Sequence, residues 1–109
     1  RLRPFLRDKE LKPCLPLEDG YAYPSGHSAL AMTFALTLAD IRPDLRDRLL
    51  ERAELVGHDR ALGGVHHPSD VRAGLELGRL LHAEMAKNPS YAADIAAVSK
   101  YAVPAEVKK

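Results

Sequence analysis

Apolar residues recur every three to four positions through most of this 109-residue sequence, and nowhere do they alternate with the period of two that is typical of strands. Prolines and glycines separate the segments that carry this spacing, as they do between helices. No segment of the sequence repeats another. The sequence therefore predicts an all-α fold, a helical bundle, in a single domain.

Proline and glycine also predict where the helices begin and end. Pro43 is a favoured first helical residue, and the Gly63-Gly64 pair ends the helix that Pro43 begins. Asn88-Pro89 stops the helix that precedes it. The predicted elements are an irregular loop over residues 7–23 and helices over residues 28–40, from Pro43 to Gly63, over residues 68–87 and over residues 90–102.

We expect one apolar stripe on each of the first three helices to face the core, and the first helix to be buried on most sides. Arg60 continues the stripe of the second helix, and a guanidinium there needs an anion, which Asp70 or a phosphate can supply. Gly74 and Gly78, one turn apart, let another backbone approach the third helix. The residues expected to face inward are Leu30, Phe34, Leu38 and Ile41, then Leu45, Leu49, Ala53 and Val56, and finally Val71, Leu75, Leu81 and Met85.

Charge and hydropathy argue against two classes of protein. The 16 basic and 15 acidic residues are interspersed and give a formal net charge of +1, so we expect no nucleic-acid partner. The longest apolar stretch, residues 29–39, is far shorter than the ~20 residues that span a bilayer, so we expect no membrane span. No signal-peptide pattern is present, and the single Cys14 is expected to be an inert loop residue.

The spacing of Arg60, His66 and Asp70 (R-x5-H-x3-D) is typical of a site that handles phosphate. Arg60 is a permanent cation for phosphate oxygens. Asp70 follows His66 by four residues around a helix start, where its carboxylate can accept from one ring nitrogen and leave the other basic. The alternative is that Ser69 or Asp70 only caps the helix and that His66 is a loop residue.

The tetrapeptide Pro24-Ser25-Gly26-His27 precedes the first long helix. Backbone N–H groups at Ser25 and Gly26 can approach an oxyanion at the positive end of the helix dipole, and His27 can protonate a departing alkoxide. Equally, Ser25 can be a plain N-cap and His27 a surface residue. Arg3 is a second candidate for clamping phosphate.

Together these motifs resemble the three-part signature of the type 2 phosphatidic acid phosphatase superfamily, which includes the vanadium haloperoxidases. The surrounding residues resemble its soluble bacterial branch, the class A nonspecific acid phosphatases. The resemblance covers nearly the whole chain. It is carried by Arg1-x-Arg3-Pro4-Phe5, Asp19-Gly20, residues 23–27, Arg60-x5-His66-x3-Asp70 and His67-Pro68-Ser69-Asp70-Val71.

The resemblance implies an acid phosphatase that hydrolyses phosphate monoesters without a metal ion or cofactor. His66 would attack the phosphorus and form a phosphohistidine, with Asp70 holding its ring. His27 would protonate the leaving alcohol oxygen. The groups that would bind the phosphate oxygens are Arg3, Arg60, Ser25 and Gly26.

The same resemblance implies a helical bundle of the acid phosphatase/vanadium haloperoxidase type and a periplasmic location. Residues 1–109 would form the C-terminal part of a single phosphatase domain, with a lysine of the first motif and further helices before Arg1. We therefore expect exposed apolar surface on these residues, covered by that N-terminal portion or by a second copy. The pocket would also hold vanadate.

Two other functions stay open. A metal-dependent phosphohydrolase of the HD type would use His27, the doublet His58-Asp59 and Asp70 as metal ligands. A catalytically silent helical fragment would bind phosphate without turnover. Two further histidines are assigned no catalytic role: His67 is expected to be a pocket-wall residue and His82 a core or boundary residue.

Overall fold

The computed structural model describes residues 2–8, 10 and 22–101, and within them it contains helices and no strand. The predicted all-α fold is therefore confirmed. The predicted loop over residues 7–23 falls largely outside the described residues. The helices are α1 (Pro4–Arg7), α2 (Gly26–Ile41), α3 (Arg46–Leu62), α4 (Pro68–Ala86) and α5 (Pro89–Ser99), with a single 3-10 turn, Pro43–Leu45, before α3.

The helices begin and end close to the prolines and glycines from which their ends were predicted. Pro43 begins the 3-10 turn, so the α-helix itself starts three residues later than expected, at Arg46. Gly63 caps α3, and Gly64 has a φ of 84°, a left-handed conformation that favours glycine and turns the chain towards α4. Asn88 caps α5 by accepting the Ser90 N–H over 3.0 Å.

The core lies where α2 packs between α3 and α4, and small residues make that packing close. A Cβ placed on Gly78 would lie 2.6 Å from the Ala29 carbonyl oxygen, and one placed on Gly74 would collide with the Ser25 carbonyl oxygen. The predicted close approach at both glycines is thus confirmed. The core cluster consists of Met32, Ala35, Leu36 and Ala53, with Ala31, Leu49, Leu50 and Leu75 packed against it.

The predicted inward face of α2 is wrong. Leu30, Phe34 and Leu38 are exposed, with 60% of Phe34 accessible, because α2 meets its neighbours through a different face, which carries Met32 and Leu36 beside smaller residues. Leu81 and Met85 of α4 are also exposed, whereas Val71 is buried as predicted. The buried residues of α2 are Ser28, Ala29, Met32, Ala35, Leu36 and Ala39.

These exposed leucines and Phe34 confirm the expected apolar surface on this part of the chain. A groove of about 290 Å³ runs between α2 and α3 on this side, lined mainly by Phe34, Leu38, Leu49 and Val56. No helix in the described part of the chain is both long enough and apolar enough to cross a bilayer.

A polar cluster joins α2, α4 and α5. Asp40 Oδ2 accepts from the Tyr91 hydroxyl over 2.5 Å and lies 2.8 Å from His82 Nε2. The rings of His82 and Tyr91 meet edge to face, with their centroids 5.9 Å apart. His82 is therefore the boundary residue that the sequence predicts.

Candidate active site

Ser25 ties the start of α2 to the first turn of α4. It is fully buried; its backbone N–H donates to the Asp70 carbonyl over 3.0 Å, and its hydroxyl accepts the Ser28 N–H over 3.2 Å. Ser25 is thus the N-cap of α2, and its N–H is directed at Asp70. Since the first N–H groups of a helix lack partners within it, Gly26 rather than Ser25 offers a backbone donor to an anion.

The position where a side chain of residue 26 would lie is empty of described residues. A Cβ built on Gly26 would meet no atom of the described residues within 4 Å. His27 follows in the first turn of α2 with an exposed side chain. This helix end therefore combines room for a ligand, the positive end of the helix dipole and an accessible imidazole.

The turn between α3 and α4 directs His66 into the protein. Gly64 adopts its left-handed conformation here, and the Val65 N–H reaches back to the Arg60 carbonyl over 3.3 Å. Val65 and His66 are consequently buried, with only 2% of His66 accessible. His66 is thus a loop residue, as the capping alternative assumes, but a buried one.

Arg3 comes from the other end of the chain to meet His66. Its guanidinium Nη1 donates to the Val65 carbonyl over 3.2 Å and lies 3.0 Å from His66 Nε2. A guanidinium has only donors, so Nε2 is the acceptor and the proton of the neutral ring sits on Nδ1. This contact brings Arg3 to the motif that contains His66, although the two lie 63 positions apart in the sequence. It also leaves the Nε2 lone pair facing a cation.

Asp70 engages the neighbouring histidine instead of the expected one. Its Oδ2 accepts the His67 backbone N–H over 2.7 Å and lies 2.8 Å from His67 Nδ1. The distance from Oδ2 to His66 Nδ1 is 3.8 Å, too long for a hydrogen bond. The expected bond between Asp70 and His66 is absent because His67, at the helix start, presents both a backbone and a ring donor to the same oxygen.

The capping alternative is also realised at Asp70. Its carboxylate satisfies the His67 N–H at the start of α4, as an acidic residue three positions into a helix commonly does. Capping does not remove Asp70 from the candidate site, because the same buried carboxylate lies close enough to His66 to act on its charge.

Positive charge is concentrated around His66. Burial lowers the pKa of His66, and the charges of Arg3 and Arg60 lower it further, against the opposing effects of the Ala22 backbone and Asp70. Burial and the nearby Arg3 also lower the pKa of Arg60. Two guanidiniums that repel each other beside a neutral imidazole form a favourable place for an anion.

The ligands required by an HD-type metal site do not meet. His58 and Asp59 are exposed on α3, whereas Asp70 is wholly buried. Among residues 2–8, 10 and 22–101, no three His, Cys, Asp or Glu side chains are grouped so as to hold a metal ion. The geometry therefore gives this alternative no support.

The contact between His67 and Asp70 is not predicted by the sequence analysis. A pocket-wall role was expected, but the ring bonds to the buried carboxylate of Asp70. The available signal was the spacing of three residues between a helix N-cap and an acidic residue, the pattern of a capping box.

Comparison with known proteins agrees with the arrangement of these motifs. Residues 1–93 match the PAP2 superfamily. The chain is 33% identical over 95 residues to a non-specific acid phosphatase of Providencia stuartii, covering 84% of this chain and 38% of that protein. It is 33% identical over 103 residues to a non-specific acid phosphatase of Salmonella typhimurium, covering 90% and 41% respectively.

A more distant kind of relative shares the same region. An undecaprenyl-diphosphatase of Sulfolobus acidocaldarius is 39% identical over 79 residues, covering 72% of this chain and 38% of that protein. The chain spans about two fifths of the length of these relatives. The family match over residues 1–93 establishes that this chain belongs to the PAP2 superfamily.

Proposed function

We propose that this chain carries the phosphate-binding and nucleophilic groups of an acid phosphatase that hydrolyses phosphate monoesters through a phosphohistidine. The observation that carries the proposal is the contact of Arg3 with His66 Nε2 over 3.0 Å, next to a second guanidinium, Arg60. It pairs a nucleophilic lone pair with the cations that a phosphate needs.

In the proposed first step, the phosphate enters between the two guanidiniums, and Arg3 exchanges its contact with Nε2 for a phosphate oxygen. The Nε2 lone pair of His66 then forms a bond to phosphorus as the bond from phosphorus to the alcohol oxygen breaks. His27 gives its proton to the departing alkoxide. The Gly26 N–H and the positive end of α2 add to the neutralisation of the phosphate oxygens.

In the second step, water gives a proton to His27 as its oxygen attacks the phosphorus, and the bond from phosphorus to Nε2 breaks. Inorganic phosphate leaves, and His66 is restored. Asp70 stabilises the positive charge that the imidazole carries while it is phosphorylated. Arg3 and Arg60 supply the charge neutralisation that divalent cations supply in other phosphoryl-transfer enzymes, so the proposal requires no metal.

The lowered pKa of His66 supports an acidic working range. Burial and the two nearby arginines lower the pKa of His66, so its ring stays neutral, and hence nucleophilic, in more acidic solutions than an ordinary imidazole does. We place the protein in the periplasm on its resemblance to the class A bacterial acid phosphatases. The proposed physiological substrate class is therefore a soluble phosphate monoester.

The exposed apolar face of α2 supports a further part of the proposal. Residues 1–109 form the C-terminal part of one phosphatase domain, and additional helices of that domain or a second copy cover Leu30, Phe34 and Leu38. Activity is accordingly assigned to the complete protein.

Hydrolysis of p-nitrophenyl phosphate by the complete protein tests the proposal. We expect His66→Ala to abolish turnover, and His58→Ala, which alters an exposed histidine on α3, to leave it unchanged. Denaturation at alkaline pH during turnover should trap a phosphohistidine, identified by its lability in acid, that His66→Ala lacks. Equal activity of His66→Ala and the parent protein would rule the proposal out.

Two further results separate the alternatives. Activity lost in EDTA and restored by a divalent cation would favour a metal-dependent hydrolase. Vanadate binding without any turnover would favour the silent phosphate-binding fragment.

A further inference from the structure

The carboxylate of Asp70 is shared unequally between two adjacent histidines. Asp70 is wholly buried, and a buried carboxylate needs hydrogen-bond donors. Two of them come from His67: its backbone N–H at 2.7 Å and its ring Nδ1 at 2.8 Å, both to Oδ2. The ring of His66 approaches that same oxygen no closer than 3.8 Å.

These distances put the two histidine rings in competition. A carboxylate oxygen has two lone pairs, and both donors of His67 already point at Oδ2. The Nδ1–H of His66 gains a full hydrogen bond to Oδ2 only when the ring of His67 loosens its own. The backbone N–H of His67 is held by the helix start, so the ring contact is the adjustable one.

We propose that His67 is a positioning residue, whose ring anchors Asp70 and limits how strongly that carboxylate engages His66. The inference rests on the proposed function for its kinetic consequence, but the contacts themselves do not depend on it. In the resting state, the His67 ring keeps Asp70 from making His66 a strong base. When His66 is phosphorylated and positively charged, its Nδ1–H competes better for Oδ2.

The charged groups that face His66 come from three parts of the chain. Arg3 contacts Nε2, Arg60 lies on α3, and Asp70 lies on α4. The two arginines favour the neutral ring, whereas the Ala22 backbone and the charge of Asp70 favour the protonated one. Of these charged groups, Asp70 is the one that the His67 ring contacts, so removing that ring alters the balance through Asp70.

Two substitutions at residue 67 separate the hydrogen bond from the volume of the ring. His67→Phe keeps a ring of similar size without a donor, and His67→Asn offers an amide N–H near the position of Nδ1. Both retain the backbone N–H that caps α4. His58→Phe, on the exposed side of α3, is the matched control.

The first measurement is the protonation of His66 followed by imidazole nitrogen NMR, which requires no activity. We expect His67→Phe to shift the midpoint of His66 upward by about one pH unit, a tenfold change in its protonation equilibrium. His67→Asn should stay near the parent value, as should His58→Phe. An unchanged midpoint in His67→Phe, or equal shifts in the Phe and Asn variants, would overturn the inference.

The second measurement is the pH profile of kcat in the complete protein. The acidic limb should move upward by the same amount in His67→Phe, with KM nearly unchanged, and return in His67→Asn. A shifted NMR midpoint in a protein without phosphatase activity would reject the proposed function and leave the role of His67 intact. If His67→Phe does not fold, His67→Leu makes the same comparison.

Discussion

The backbone N–H of Ser25 donates to the backbone carbonyl of Asp70 over 3.0 Å. This bond joins the first turn of α4, which carries the carboxylate, to the start of α2, which carries Gly26 and His27. Because both groups belong to the main chain, the relationship survives side-chain substitution. The hydroxyl of Ser25 adds the cap of α2 from the same buried position.

Loss of that hydroxyl should affect both stability and activity. We expect Ser25→Ala to cost about 1 kcal/mol of unfolding free energy through the lost cap and to lower phosphatase activity by loosening the start of α2. Asn88→Ala removes the comparable cap of α5, far along the chain from the motifs. Asn88→Ala should lower the unfolding free energy in urea titrations by a similar amount without changing kcat/KM. If Asn88→Ala also lost activity, Ser25 would act on activity through stability alone.

Gly74 should tolerate no side chain. A Cβ there collides with the Ser25 carbonyl oxygen and would lie 2.9 Å from Ser28 Cβ, so backbone must move. We expect Gly74→Ala to destabilise the protein by about 1–3 kcal/mol, measured as a lower midpoint of denaturant unfolding. Gly26→Ala, which meets open space in the described structure, should leave stability unchanged or raise it by about 0.5 kcal/mol.

Burial of His66 should make stability depend on pH. Its folded pKa lies below the ordinary 6.5, so near that pH the unfolded state binds more protons than the folded state. Stability should therefore fall as the pH drops from about 6.5 towards the lower folded pKa. The slope of unfolding free energy against pH should be smaller in His66→Asn than in the parent protein. An identical slope in the two proteins would show that the pH dependence does not come from His66.

The cluster of Asp40, His82 and Tyr91 should fasten α5 to the rest of the bundle. Burial raises the pKa of Asp40, but hydrogen bonds from Tyr91 and His82 outweigh it and leave the pKa below its ordinary value. We expect Tyr91→Phe to cost about 1 kcal/mol through the lost hydrogen bond. Tyr101→Phe, which alters a tyrosine that is 85% exposed, is the control and should leave thermal unfolding unchanged.

The same cluster has a predictable pH window. The stability that Asp40 contributes should be present above its unfolded pKa of 3.8 and be lost as the pH falls through the lower folded value. Burial and the bond to Asp40 raise the pKa of Tyr91, so its contribution should persist below pH 10 and be lost as the pH rises through the folded pKa. In Tyr91→Phe the alkaline effect should be absent and the acidic effect smaller, because His82 still bonds to Asp40; stability measurements at acidic and alkaline pH would show both changes.

Much of the fold was predictable because it depends on local chemistry. Prolines begin helices, Gly64 turns the chain, and Gly74 marks the place where another backbone comes close. The face of α2 was not predictable, since its large and small residues both recur with helical spacing. Close packing at the glycines of α4 placed Ser28, Ala29 and Met32 against that helix and left Phe34 outside.

The sequence by itself determined the helices, the family and the residue types gathered for phosphate chemistry, because each depends on identity and spacing along the chain. Only the tertiary structure decided how those residues pair. It brought Arg3 across the chain to His66 and gave the Asp70 oxygen to His67 instead of His66. Which of two adjacent histidines reaches a buried acceptor depends on tenths of nanometres set by packing, and spacing along a sequence does not carry that information.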